Sequence, residues 1–224
     1  MKIRKKYKLW VRLFMLITRP IVHKPKFHNI DNIKENAIII TNHNTTIGPA
    51  SWAYHFKYQA MYWGDYKSFE SYKLSKDTAY NDFRKKGNPK WLSKIKAAIG
   101  AKLLMKAARA DNLILVYDDI RVYKTIKNSI EGYKNGDFII IYADNPNVTN
   151  TYDIIDIKPG ALLLAKALKE EKIDANIVLA KLDKKGKNIY FDTPQKLSEY
   201  EDIYDDNQLL DYFKDRINNL DKRN

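Results

Sequence analysis

Two stretches of this chain, Ile38-Ile39-Ile40 and Ile139-Ile140-Ile141, are apolar at every position. A strand with one solvated face alternates polar and apolar residues. A strand with no polar face must be covered on both sides, which puts it inside a sheet with helices above and below. Extending that pattern predicts strands over Ala37–Thr41, Leu113–Tyr117, Phe138–Tyr142, Asn176–Leu182 and Asn188–Phe191. Between them, apolar residues three and four apart predict helices over Val122–Tyr133, stopped by Asn135-Gly136, and over Ile157–Lys169, opening near Pro159. The fold class is therefore α/β: a central, mixed and mostly parallel sheet covered by helices on both faces. At 224 residues, with no internal repeat and no linker rich in Gly, Ser or Pro, residues 27–224 read as a single domain.

Charge narrows the functional classes. The 40 Lys and Arg against 27 Asp and Glu leave a net charge of +13, so the surface attracts something anionic: nucleic acid, an acidic lipid surface or an acidic carrier protein. The chain has no cysteine, which excludes disulfides, thiol nucleophiles and Cys-based metal sites. None of its four histidines, His23, His28, His43 and His55, shares a metal-ligand spacing with another, so a metal is not expected. His23 and His28 read as parts of a linker, and His55 as a surface or packing residue. No apolar stretch approaches the roughly 20 residues that a membrane-spanning helix needs.

Nine of the basic residues fall within positions 1–26, which contain no acid. Ile3, Tyr7, Trp10, Phe14 and Ile17 recur at helical spacing, while Lys5, Lys8, Arg12 and Arg19 share another face, so residues 1–26 read as a basic amphipathic helix and linker. Arg12 interrupts the apolar run and no small-residue cleavage pattern follows, so the segment is read as a retained, cytoplasmic one rather than a signal peptide. Two placements fit it: lying in the interface of an anionic membrane on its cytoplasmic face, or packing on its own domain. A second basic stretch, from Lys76 to Arg109, carries ten basic against two acidic side chains, while the chain from Glu199 onward is acidic. No RNP-like, zinc-finger or helix-turn-helix pattern is present, so no specific nucleic acid is expected. The aromatic run Trp52, Tyr54, Phe56, Tyr58, Tyr62, Trp63 and Tyr66 changes from helical to alternating spacing near Gln59 and reads as packing, with an acyl-chain path as the alternative.

The segment Ile38-Ile39-Ile40-Thr41-Asn42-His43-Asn44-Thr45-Thr46-Ile47-Gly48-Pro49 is a buried strand emptying into a polar loop. A histidine at a strand exit is placed to act as a general base on an alcohol. This stretch resembles the first motif of the glycerolipid acyltransferase family, the lysophosphatidic acid acyltransferases, whose signature is NHxxxxD after a hydrophobic strand. Glu131 to Pro146 resembles the family's helix, turn, strand and FPEG motif, and Lys158-Pro159-Gly160-Ala161-Leu162-Leu163-Leu164-Ala165 its KxGAxxLA helix, all in the family's order. The resemblance spans roughly residues 5 to 195.

It implies transfer of a fatty acyl group from an acyl thioester, acyl-CoA or acyl carrier protein, to a lysophospholipid hydroxyl, a reaction that requires no metal or cofactor because it needs only positioning and an activated hydroxyl. His43 would be the catalytic base, Asn42 and Thr45 would support its loop, Arg121 would hold the acceptor's phosphate, and Asp144 with Asn145 would position the acceptor. Several family positions differ here. The Asp expected five residues after His43 is Gly48, the expected phosphate-binding Arg is Asp118 with Arg121 three residues on, and FPEG is Tyr142-Ala143-Asp144-Asn145. Asp65, Asp144 or a backbone carbonyl would have to replace the missing acceptor of the imidazole. Two outcomes stay open: an acyltransferase with a rebuilt site, or an inactive acyltransferase fold serving as a lipid- or membrane-binding module.

Overall fold

In the computed structural model the two isoleucine runs lie side by side. The structure describes residues 13, 16, 24–43, 47–85, 87–110, 113–144, 153–183, 185–201 and 205–222. In chain order its elements are β1 (Lys26–His28), β2 (Ile38–Thr41), α1 (Ile47–His55), β3 (Ala60–Asp65), α2 (Tyr66–Phe69), α3 (Tyr72–Lys85), α4 (Lys90–Ala110), β4 (Leu113–Val116) and α5 (Val122–Lys134). There follow β5 (Phe138–Tyr142), α6 (Gly160–Glu170), β6 (Asn176–Leu182), β7 (Asn188–Phe191), β8 (Gln195–Lys196), α7 (Ser198–Glu201) and α8 (Asp206–Asn218). The chain divides into two compact units, Met1–Ala60 with Ser129–Asn224, and Met61–Asn128.

In the first unit the strand order is β1-β7-β6-β2-β5, with β8 also on β6. β2 runs parallel to both neighbours: Ile39 lies opposite Ile140 of β5 and Val178 of β6, and Thr41 opposite Tyr142 and Ala180. β1 is parallel to β7, while β7 and β8 pair antiparallel to β6, so the sheet is mixed and mostly parallel, as expected. All four residues of β2 are buried, which is what an unbroken apolar strand requires. Phe27, Trp52, Phe56, Phe138 and Phe191 form a ring cluster beside it, with centroids 5.3–6.4 Å apart. The packing reading of this part of the aromatic run therefore holds, with Trp52 and Phe56 wholly buried.

Two details differ from expectation. His28 belongs to β1 rather than to a linker: its Nε2 lies 3.0 Å from Asn188 Oδ1 and its ring stacks on Tyr190 at 4.6 Å. Three half-exposed residues are too few to show alternation, so the strand is invisible in the sequence. The helix expected from Ile157 starts at Gly160. Pro159 disfavours helical backbone at the residue before it, so Lys158 stays extended and donates its N–H to Ala143 O at 2.9 Å, while Ile157 bridges to Asp144. At the other predicted stop, Gly136 takes φ 82°, a left-handed conformation suited to glycine, and closes α5.

α8 begins with a reciprocal cap. Asp205 Oδ1 accepts from the N–H groups of Asn207 and Gln208 at 3.0 and 2.9 Å, and Gln208 Oε1 accepts from the Asp205 N–H at 3.1 Å. The helix buries Leu209, Phe213 and Ile217, one face at spacings of four. Asp205→Ala is expected to cost about 1 kcal/mol of stability, read as a lowered urea midpoint with unchanged slope. β6 also carries an unusual core residue: the Lys181 ammonium is buried, donating to Asp153 and Asp221 at 2.9 Å each and to Asn218 O at 2.7 Å.

In the second unit β3 and β4 pair in parallel, Tyr62 opposite Leu113 and Asp65 opposite Val116, and the crossover between them is built from α2 and the α3–α4 hairpin. Gly64 permits the close approach of β4, since a Cβ there would stand 2.7 Å from Leu113 Cδ1 and 3.1 Å from Phe69 Cε2. Of the basic helix expected over residues 1–26, only Leu13 and Leu16, both helical and exposed, and residues 24–26 are described; the rest of that expectation lies outside the described residues. Among the described residues no helix is long and apolar enough to cross a membrane.

Candidate functional site

The site is set where β2 and β5 end together. Ala143 N–H donates to Thr41 O at 2.9 Å, continuing the pairing one residue past β5 and bringing the two polar exits into register. Asn42 is fully buried, and its amide grips β6: Nδ2 donates to Leu182 O at 3.0 Å and Oδ1 accepts from Leu182 N–H at 2.8 Å. Asn42 thereby anchors the exit of β2, which fixes where the next residue starts.

That residue is His43. Its backbone N–H donates to Asp144 Oδ1 at 2.6 Å, and its ring packs edge-on against Tyr142 with centroids 5.4 Å apart. Asp144 thus braces the loop through the main chain. Nδ1 of His43 is buried and, among the described residues, has no hydrogen-bond partner. Asp144 accepts from the His43 main chain rather than from its ring, and in the second unit Asp65 Oδ2 accepts from Ser68 Oγ at 3.4 Å. Gly48 itself lies in the first turn of α1.

Burial sets the electrostatics. It depresses the His43 pKa to about 4, with the Lys158 ammonium adding to the effect, so the imidazole is neutral throughout the physiological range. It also raises the Asp144 carboxyl to about 6, against the opposing pull of the backbone N–H groups and of Lys158. Lys158 therefore acts on both groups, and sequence reasoning did not single it out. Its signal was its position before Pro159, which holds it extended beside β5 rather than letting it enter the helix.

Arg121 lies in the second unit, where its guanidinium is already occupied. Nε and Nη2 donate to Asp119 at 3.0 and 2.8 Å, Nη1 donates to Glu70 at 2.8 Å, and the group stacks on Tyr117 and Tyr66 at 4.3 and 5.0 Å. These carboxylates hold its pKa above the ordinary value, Asp119 first among them. Two carboxylates thus already offset its charge where a phosphate would meet it. Asp118, at the position of the expected arginine, is paired with Lys67 at 2.8 Å. Thr45 and Asn145 lie outside the described residues. Among the described residues no three His, Asp or Glu side chains are gathered so as to hold a metal ion.

A neutral imidazole at a fixed strand exit, a carboxylate bracing its backbone and a lysine nearby form a constellation able to take a proton from a hydroxyl beside an anionic group. No protein-family model matches the sequence, and no curated protein matches it. Among solved structures the chain is similar to the crystal structure of the 1-acyl-sn-glycerophosphate (LPA) acyltransferase PlsC from Thermotoga maritima. The TM-score is 0.55 and the identity 12%, covering 96% of this chain and 78% of that one. This likeness establishes a shared α/β fold.

Proposed function

We propose that the chain is an acyltransferase that moves a fatty acyl group from an acyl thioester, acyl-CoA or acyl carrier protein, to the free hydroxyl of a lysophosphatidic acid-like acceptor at a membrane surface. The observation that carries this reading is the neutral His43 imidazole held at the end of the central strand by Asp144, in a fold shared with an acyltransferase. In the step proposed, His43 accepts the hydroxyl proton as the oxygen attacks the thioester carbonyl. The tetrahedral intermediate then collapses, the carbon–sulfur bond breaks, and the imidazolium returns the proton to the departing thiolate.

Lys158 is the better candidate than Arg121 for the acceptor's phosphate, because its charge already acts on His43 and Asp144 while the Arg121 charge is offset by Asp119 and Glu70. Lys158→Ala is expected to raise the KM for lysophosphatidic acid roughly tenfold or more, the size of a lost charge-assisted hydrogen bond, with a smaller change in kcat. An unchanged KM would remove Lys158 from this role.

One observation favours the second reading, a lipid-binding module: Nδ1 lacks the acceptor that fixes the tautomer in hydrogen-bonded triads. In the serine-protease template, loss of the orienting carboxylate costs about 10⁴ in turnover. The two readings separate in an assay of thiol release with lysophosphatidic acid and each donor in turn. Acceptor-dependent release with either donor supports the acyltransferase; none with both, from a folded chain that still binds lipid vesicles, supports the module.

A further inference from the structure

Helix α4 has apolar residues on both of its faces. The inner face buries Ser93, Ala97, Ala101 and Met105. On the outer face Trp91, Ile95, Ile99 and Leu103 follow one another at spacings of four, and they are 65%, 51%, 59% and 39% exposed. A contiguous exposed apolar strip marks an interaction surface. The strip extends about 18 Å along the axis. Lys90, Lys94, Lys96, Lys102 and Lys106 lie along the same helix, which contains no acidic residue.

We infer that the outer face of α4 is a docking surface for an anionic lipid bilayer, with Trp91, Ile95 and Ile99 entering the interface and the lysines reaching the headgroups. Charge complementarity selects an anionic partner, and each lysine near such a surface contributes about 1 kcal/mol. Shape and chemistry favour lipid over an acidic protein. The centre of the face is a strip of aliphatic and indole side chains, which a fluid interface accommodates by closing around it. Tryptophan suits the headgroup boundary, and lysine stems lie along apolar surface while their ammonium groups stay in water. The inference deepens the acyltransferase reading, on which it rests for an acceptor that resides in a membrane. This surface belongs to a different part of the chain from residues 1–26, for which membrane contact is one of two placements.

Because the chain has no cysteine, a single one reports unambiguously. Full-length Ile95→Cys and Ile99→Cys, each carrying an environment-sensitive fluorophore, would be mixed with vesicles of phosphatidylglycerol and phosphatidylcholine, with the exposed Lys187→Cys as control. A blue-shifted, brighter signal at 95 and 99 but not at 187, absent with phosphatidylcholine alone and quenched by spin-labelled lipid, is the expected result. The unlabelled double variant Ile95→Glu/Ile99→Glu should bind these vesicles about tenfold more weakly or worse. Labels at 95 and 99 that stay aqueous while the chain floats with vesicles, or a chain that does not float, would overturn the inference. So would a signal that rises with protein concentration alone, indicating a second copy, or one that answers only to acyl carrier protein. Turnover on a water-soluble short-chain acceptor is assayed in parallel. Retained turnover with aqueous labels sinks only the docking face, whereas inserted labels without any turnover sink only the acyltransferase reading.

Discussion

Removing both carboxylates that face Lys181, as Asp153→Ala/Asp221→Ala, is expected to destabilise the protein by about 3–5 kcal/mol. The side chain of Lys181 is 3% exposed, so once its partners are gone the ammonium keeps only the carbonyl of Asn218 and cannot recover its hydration. The reverse change is mild. The side chains of Asp153 and Asp221 are 59% and 32% exposed, so Lys181→Met leaves two carboxylates that water can reach and fills the space with an apolar chain of similar length. Adding Lys181→Met to the double variant should therefore restore most of the loss. Urea midpoints of the four proteins decide it: a double variant within about 1 kcal/mol of wild type, or a triple variant no better than the double, would contradict the role of buried charge.

His43 and Asp144 are expected to pull stability in opposite directions as pH changes. His43 has a folded pKa of about 4 against 6.5 for a free imidazole, so over that window the unfolded chain binds the extra proton and stability rises with pH. The pKa of Asp144 is raised from 3.8 to about 6, so there the folded chain holds the extra proton and stability falls with pH. Each effect is worth roughly 3 kcal/mol across its window, and in the wild type they nearly cancel. In Asp144→Asn only the histidine effect remains, and stability should climb between pH 4 and 6.5. In His43→Gln only the carboxyl effect remains, and stability should decline between pH 4 and 6. Differences from wild type at each pH remove the contribution of all other groups. Difference curves that are flat for both variants would show that neither group is desolvated as described.

The sheet was legible because its strands are unambiguous. Runs of β-branched residues with no polar face admit few alternatives, and β2, β5, β6 and β7 fall within a residue of where the sequence puts them. β1 escaped because it is three residues long, whereas Pro159 marked the opening of α6, which starts one residue on and three after Ile157. At the site, His43 was identifiable from its place after a buried strand. The work of Asp144 was not, since a backbone N–H and an imidazole are equally plausible partners for a carboxylate in sequence. The pairing of Arg121 with two carboxylates was equally hidden, because Asp119 and Glu70 lie two and fifty-one positions away and only folding brings the second to it.

The most direct test is acyl transfer to lysophosphatidic acid by the wild type and by His43→Ala, with acyl-CoA and with acyl carrier protein as donors. The account predicts measurable turnover in the wild type and a loss of at least about 10² in kcat in the variant, the lower end of what a general base contributes, with fold and vesicle binding intact. Equal turnover in the two proteins would remove His43 from the chemistry, and no turnover in the wild type with either donor would contradict the acyltransferase reading.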